Sequence, residues 1–106
     1  MKAIDALPAV VERIVRMFSP ERIVLFGSQA RGDARPDSDL DLIVVVDDEA
    51  TDRRVAARNI RVSLADVPVP MDIIVATPGD LARRGHVNGS VFKPALEEGK
   101  VVYARV

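Results

Sequence analysis

The sequence predicts an α/β fold, a small mixed β-sheet with helices packed on it. Segments with apolar residues at helical spacing alternate with short runs of Val, Ile and Leu, the pattern of helices layered on a sheet. The composition agrees: 48% of the 106 residues are apolar. The only aromatics are Phe18, Phe26, Phe92 and Tyr103, so the core is expected to be aliphatic. A chain of this length supports one modest core, and residues 1–106 are expected to form a single domain. Periodicity leaves the strand order open.

From Asp5 to Phe18, apolar Leu7, Val10, Val11, Ile14, Val15 and Phe18 recur at helical spacing opposite Glu12, Arg13 and Arg16. Asp5 is the expected cap, and Pro8 is tolerated in the first turn. After Ser19-Pro20, "RIVLFG" (Arg22 to Gly27) reads as a buried strand. Ser28 to Arg31 fits one helical turn, and "GDARPDS" is a loop. "DLDLIVVV" is the second strand. Glu49 to Leu64 reads as a helix, with Val55, Ile60, Val62 and Leu64 available for burial and Arg53, Arg54, Arg58 and Arg61 as a positive stripe, most simply a solvated face and otherwise a surface that steers nucleotide or docks an acidic partner. "VPVP" marks a turn and "MDIIVAT" the third strand. Thr77, Pro78 and Asp80 match a helix start, as cap, first residue and third residue. That helix stops near Gly85. Ser90 to Glu98 is a second short helix closed by Gly99, weakened by Pro94, and "KVVYARV" is a last strand.

Several function classes are disfavoured. There is no cysteine, which excludes a disulfide scaffold and thiolate-bound zinc and fits a reducing compartment. A formal net charge of −1 gives no basic footprint, so direct nucleic-acid binding is not expected. No apolar run approaches a membrane span of about twenty residues. The expectation is a cytoplasmic protein without a membrane.

The chemistry concentrates in "FGSQARGDARPDSDLDLIVVV" (Phe26 to Val46). Side chains alternate along a strand, so Asp39 and Asp41 point the same way, about 6–7 Å apart, while Leu40 and Leu42 point into the core. At an effective dielectric near 20, such carboxylates repel by roughly 2–3 kcal/mol. A divalent cation turns that cost into a binding site, and Mg²⁺ favours one or two carboxylates with phosphate oxygens and water. Asp72, in "PMDIIV", falls one residue into the next strand and can lie beside the first pair. Three carboxylates on adjacent strand ends can hold two metals for in-line phosphoryl chemistry. An isolated Asp-x-Asp is more often a turn cap or a solvated strand end, and Asp33, Asp37, Asp47 and Asp48 are read that way.

Gly27-Ser28 sets Asp39 and Asp41 apart. A strand ending in glycine lets the backbone approach a phosphate, and the following N–H groups and the serine hydroxyl donate to its oxygens. Arg31 projects near the same place and can grip phosphate as a fork. Alone, each of these is unspecific; together they put phosphate donors and metal ligands on neighbouring strand ends.

This arrangement resembles the minimal nucleotidyltransferases of the DNA polymerase β superfamily. Their pattern is an apolar residue, Gly-Ser, about ten residues, Asp-x-Asp between apolar residues, and a later acidic residue. Here these are Phe26, Gly27-Ser28, Gln29 to Ser38, Asp39-Leu40-Asp41-Leu42 and Asp72. The resemblance spans almost the whole chain. It implies two Mg²⁺ ions on Asp39 and Asp41, with Asp72 completing one metal site and helping to activate the attacking hydroxyl. It also implies ATP as substrate, its triphosphate held by Gly27, Ser28 and Arg31. Stand-alone members commonly act as antitoxins of HEPN-domain ribonuclease toxins, so the implied activity is AMP transfer to a hydroxyl, typically a tyrosine, of a cognate HEPN partner.

Two other readings stand beside it: a non-catalytic antitoxin that neutralises its partner by contact, and a small-molecule nucleotidyltransferase completed by a second subunit. No further module to hold an acceptor is expected within the chain, and a homo- or hetero-oligomer is compatible with either. His86, the only histidine, is read as a surface residue. Lys93 is read as a surface residue with phosphate within reach, and Tyr103 as core packing or a partner-facing edge.

Overall fold

The structure, a computed structural model, describes every residue except Met1, His86, Asn88 and Val91; His86 therefore lies outside the described residues. Helix α1 (Leu7–Phe18) is followed by β1 (Arg22–Phe26), α2 (Gly27–Arg31), β2 (Leu40–Val45), α3 (Arg53–Ser63), β3 (Met71–Ala76), α4 (Pro78–Arg84), α5 (Phe92–Glu98) and β4 (Lys100–Ala104).

The strands form one mixed sheet in the order β3-β2-β1-β4. Strand β1 runs antiparallel to β2 and β4, and β2 runs parallel to β3. Because strand side chains alternate, the central strands feed two cores. Leu40, Leu42 and Val44 of β2 pack with Val10 and Ile14 of α1 and Ala57 and Ile60 of α3. Ile43 and Val45 pack on the opposite face with Leu81 of α4 and Phe92 and Ala95 of α5. Strand β2 is thus covered on both faces, which its continuous apolar run requires.

Several boundaries differ from the sequence expectation. Asp5 does not cap α1; it lies in a 3-10 turn (Ala3–Ala6) and its carboxylate accepts from the Lys2 N–H at 3.3 Å. Pro8 does occupy the first turn of α1, and Ser19 ends the helix in the left-handed region (φ 46°). Helix α3 begins at Arg53 rather than Glu49, because Asp52 caps it by accepting from the Val55 N–H at 3.1 Å. Ile60 and Leu64 are buried as expected, but Val55 and Val62 are 42% and 68% exposed; Ala57 takes the inner position instead. Arg13 of α1 donates to the Ser63 carbonyl at 3.1 Å and pairs with Asp66, tying α1 to the end of α3.

Arg53 also departs from the expected solvated stripe. Its guanidinium makes a fork to Asp80 (Nε–Oδ2 2.9 Å, Nη2–Oδ1 3.1 Å) and donates to the hydroxyl of Thr77 and the carbonyl of Thr51. Thr77 is fully buried and forms the expected capping box with Asp80. The Thr77 hydroxyl donates to Glu49 at 2.7 Å, and Glu49 also accepts from the Gly79 N–H at 3.0 Å. This knot closes the C-terminal ends of β2 and β3 and needs Glu49 in the loop, not on the helix.

The Arg53 fork, supported by the Thr77 N–H and opposed by burial, lowers the Asp80 pKa to about 2. A depressed carboxylate stabilises the fold above its unfolded pKa, near 3.9, and loses that contribution as pH falls through the folded value. Asp80→Asn is therefore expected to cost on the order of 1–2 kcal/mol at neutral pH, after solvent screening. Urea denaturation as a function of pH should show the difference from wild type constant above about pH 5 and vanishing towards about pH 2.

Candidate active site

Because β1 opposes β2 while β3 accompanies it, the C-terminal end of β1 meets the N-terminal ends of β2 and β3. The register places Phe26 opposite Asp41 and Asp41 opposite Asp72. Asp41 shares its face with Ile43 and Val45, and Asp72 shares its own with Ile74 and Ala76; both point to the α4–α5 side. Neighbouring strands lie about 4.8 Å apart, so the two carboxylates are close neighbours. Asp39 precedes β2 rather than opening it and is exposed; alternation keeps it on the Asp41 side. The Leu40 N–H donates to the Pro70 carbonyl at 3.0 Å, which fixes the start of β2 against the approach to β3.

The field at Asp41 follows from this geometry. Burial raises its pKa, the charges of Asp72 and Asp39 raise it further, and Arg31 opposes them. The ionised form is held at a cost that a cation would relieve. Among the described residues no group of three or more His, Cys, Asp or Glu side chains is placed to hold a metal ion. Asp41 and Asp72 present carboxylate oxygens on one face of the sheet, the donor type that a hard divalent ion prefers.

Gly27 stands against Asp41. It has φ +72°, and a Cβ built on it would run into the Asp41 carboxylate. Glycine thus suits the left-handed backbone there, and a side chain in its place would displace the Asp41 carboxylate. Ser28 is half-buried in the first turn of α2, which no side chain caps, so the N–H groups of that turn remain available beside Asp41. Ala30 is buried and anchors the turn, and Gly32 ends it with φ +85°.

Arg31 is near enough to act on Asp41, yet its guanidinium faces Asp33 (3.3 Å) and Glu98 (3.7 Å). Sequence reasoning missed Glu98 as its partner and missed the staple that shapes the loop. Gln29 of α2 donates to the Ser38 carbonyl at 3.2 Å, and the Ser38 hydroxyl accepts from the Arg35 N–H at 2.8 Å. The first joins α2 to the far end of the loop and the second closes a turn within it, and only the polarity of the loop hinted at them. Lys93 pairs with Glu97 at 3.0 Å within α5. Tyr103 is half-buried on edge strand β4, packed against the core. Asp33 and Asp47 pair with Arg31 and Arg105, and Asp48 accepts from the Ala50 N–H.

The Gly27–Asp41 contact predicts a coupling. Gly27→Ala is expected to lose about 1–2 kcal/mol for the left-handed backbone, plus the clash. In the double variant Gly27→Ala/Asp41→Ala the clash is gone, so it should be more stable than the sum of the two single effects predicts, by about 0.5 kcal/mol or more in chemical denaturation.

The comparisons with known proteins agree with this fold. No curated protein matches the chain significantly. Among solved structures, a protein of Sulfolobus solfataricus provisionally assigned as a nucleotidyltransferase is 21% identical with a TM-score of 0.67, over 97% of this chain and 81% of that one. A toxin–antitoxin structure with AMP-PNP is 19% identical with a TM-score of 0.55, over 92% of this chain and 73% of that one. At such identities these structures share the fold. The pattern of the nucleotidyltransferase domain matches residues 7–99, which include the Gly27-Ser28 turn and all three aspartates, and the chain belongs to that family.

Proposed function

We propose that this nucleotidyltransferase uses Mg²⁺ and ATP to transfer AMP to a hydroxyl, a tyrosine of a HEPN-type toxin, and serves as that toxin's antitoxin. Residues 1–106 act in this reading as one catalytic domain. The observation that carries it is the in-register pairing of Asp41 with Asp72 against the glycine turn. The toxin partner is supported by the similarity to the toxin–antitoxin structure with AMP-PNP.

Asp39 and Asp41 would hold two Mg²⁺ ions, with Asp72 completing one site; bound Mg²⁺ supplies charge neutralisation and alignment of the phosphates. The N–H groups at Gly27 and Ser28 and the Ser28 hydroxyl donate to phosphate oxygens. Arg31 exchanges Asp33 and Glu98 for the triphosphate. The acceptor oxygen bonds to the α-phosphorus, the bond to the bridging oxygen of the β-phosphate breaks, and pyrophosphate leaves. Asp72, the most solvent-exposed of the strand carboxylates, takes the hydroxyl proton.

The test is AMP transfer from α-labelled ATP with Mg²⁺ in lysate of the protein's own host, with Asp39→Asn/Asp41→Asn as control. A labelled protein band that the control abolishes is expected. Absence of label, with partner still captured by both proteins, would replace transfer with inhibition by contact.

Asp41→Asn gives a second prediction. A raised carboxylate pKa weakens the fold above the unfolded value, and that loss is removed by protonation or amidation. Transfer should fall by about a hundredfold or more. In metal-free buffer the melting temperature should rise, by a few degrees at most after solvent screening.

A further inference from the structure

Strand β3 lies at an edge of the sheet. Its ladder partners are fixed: the Pro70 carbonyl accepts from Leu40 and the Ala76 carbonyl from Val46. In a parallel ladder alternate residues face the neighbour, so Asp72 and Ile74 also bond towards β2, and Ile73 and Val75, only 3% and 5% exposed, turn their N–H and C=O groups to the unpaired side. Natural edges are usually blunted by lysine, proline or a bulge. Within Met71–Ala76 there is none of these.

Helix α3 runs along this edge. Arg54, Arg58 and Arg61 are exposed at i, i+4 and i+7, and among the described residues none of them meets a carboxylate. Exposed Val55 and Val62 lie among them. A shallow cavity of about 300 Å³ joins Arg54 and Arg61 to Ile73 and Val75, and another of about 210 Å³ joins Arg61 to Met71 at the Asp72 end.

We propose that the unpaired edge of β3, reached through the groove it forms with Arg54 and Arg61 and flanked by Arg58, docks an extended acidic segment of a protein substrate and brings a hydroxyl of that segment to Asp72. The assignment rests on the reading of Asp72 as the residue facing the acceptor. A strand added to β3 continues the alternation of the sheet. One set of its side chains falls on the α3 side, where carboxylates meet the arginines, and the other falls on the side of Asp72 and Asp41. Arg54 to Arg61 spans about 10 Å of helix, the reach of three or four strand residues. Acidic residues at every second position, with the hydroxyl on the intervening set, satisfy both faces.

A second copy of the chain fits poorly. Antiparallel β3–β3 pairing about a two-fold axis puts both α3 helices on one face of the joined sheet, so the two arginine sets confront each other without carboxylates. Nucleic acid is disfavoured by the small basic field, the net charge of −1 and the exposed valines within it.

The probe is a short labelled peptide of alternating Glu and Val with one Tyr in a Val position, compared with its Lys counterpart. Wild type should bind the Glu peptide preferentially, and amide exchange at Ile73 and Val75 should slow. Arg54→Glu/Arg58→Glu/Arg61→Glu, all at exposed positions, should weaken that binding by about tenfold or more and reverse the preference. Unchanged binding by the triple variant, or protection elsewhere than β3, overturns the proposal. So does tighter binding of a uridine oligonucleotide by the same arginines, or a wild-type dimer that the variant lacks. Docking with no AMP transfer, to this peptide or in lysate, would sink the transferase reading and leave the surface standing. Undiminished labelling in lysate by the triple variant would sink the docking surface and leave the transferase reading.

Discussion

The parallel pairing of β2 with β3 is the constraint on which the rest depends. It sets Asp41 opposite Asp72, and a slip of one residue would send Asp72 through the sheet to the α3 side. Two things prevent the slip. Ile73 and Val75 belong to one core while Ile74 and Ala76 face the other, so a shifted strand would misplace every apolar side chain. At the far end, Thr77 is locked to Glu49, Asp80 and Arg53, which pins β3 just past its last residue.

The same pairing explains how the sheet carries its charges. Repulsion between neighbouring carboxylates is worth a few kcal/mol at most at an effective dielectric near 20. Each fully buried Leu, Ile or Val contributes about 1.5–3 kcal/mol. Leu40, Leu42, Ile43, Val44 and Val45 are at most 1% exposed, so β2 alone outweighs the charge it bears. These aspartates lie where β2 and β3 emerge from the core, and the pKa of Asp41, the deepest of them, is raised.

Much of this was legible in the sequence because local rules decided it. The glycine turn, the Thr77–Pro78–Asp80 helix start and the alternating faces of β2 all follow from backbone preferences acting within a few residues. What escaped was decided between segments. The strand order and the Asp41–Asp72 register depend on the crossover through α3, which periodicity does not encode. Arg53 read as one of four equivalent surface arginines, and only the fold shows that it turns inward to Asp80 while the other three stay exposed. Glu49 read as helical, and the demand of buried Thr77 for a partner keeps it in the loop. Val55 and Val62 fitted an apolar face that Ala57 and Ile60 in fact supply.

The topology also orders events in time. Strands β1 and β2 form a hairpin closed by residues 27–39, so the glycine turn and Asp41 meet early and locally. Asp72 joins them through the longer closure over residues 46–70, with its greater entropic cost. During synthesis the hairpin leaves the ribosome first, carrying Asp41 without Asp72. A half-made or half-folded chain therefore holds the glycine turn but not the carboxylate pair, and catalytic competence arrives together with the finished sheet rather than ahead of it.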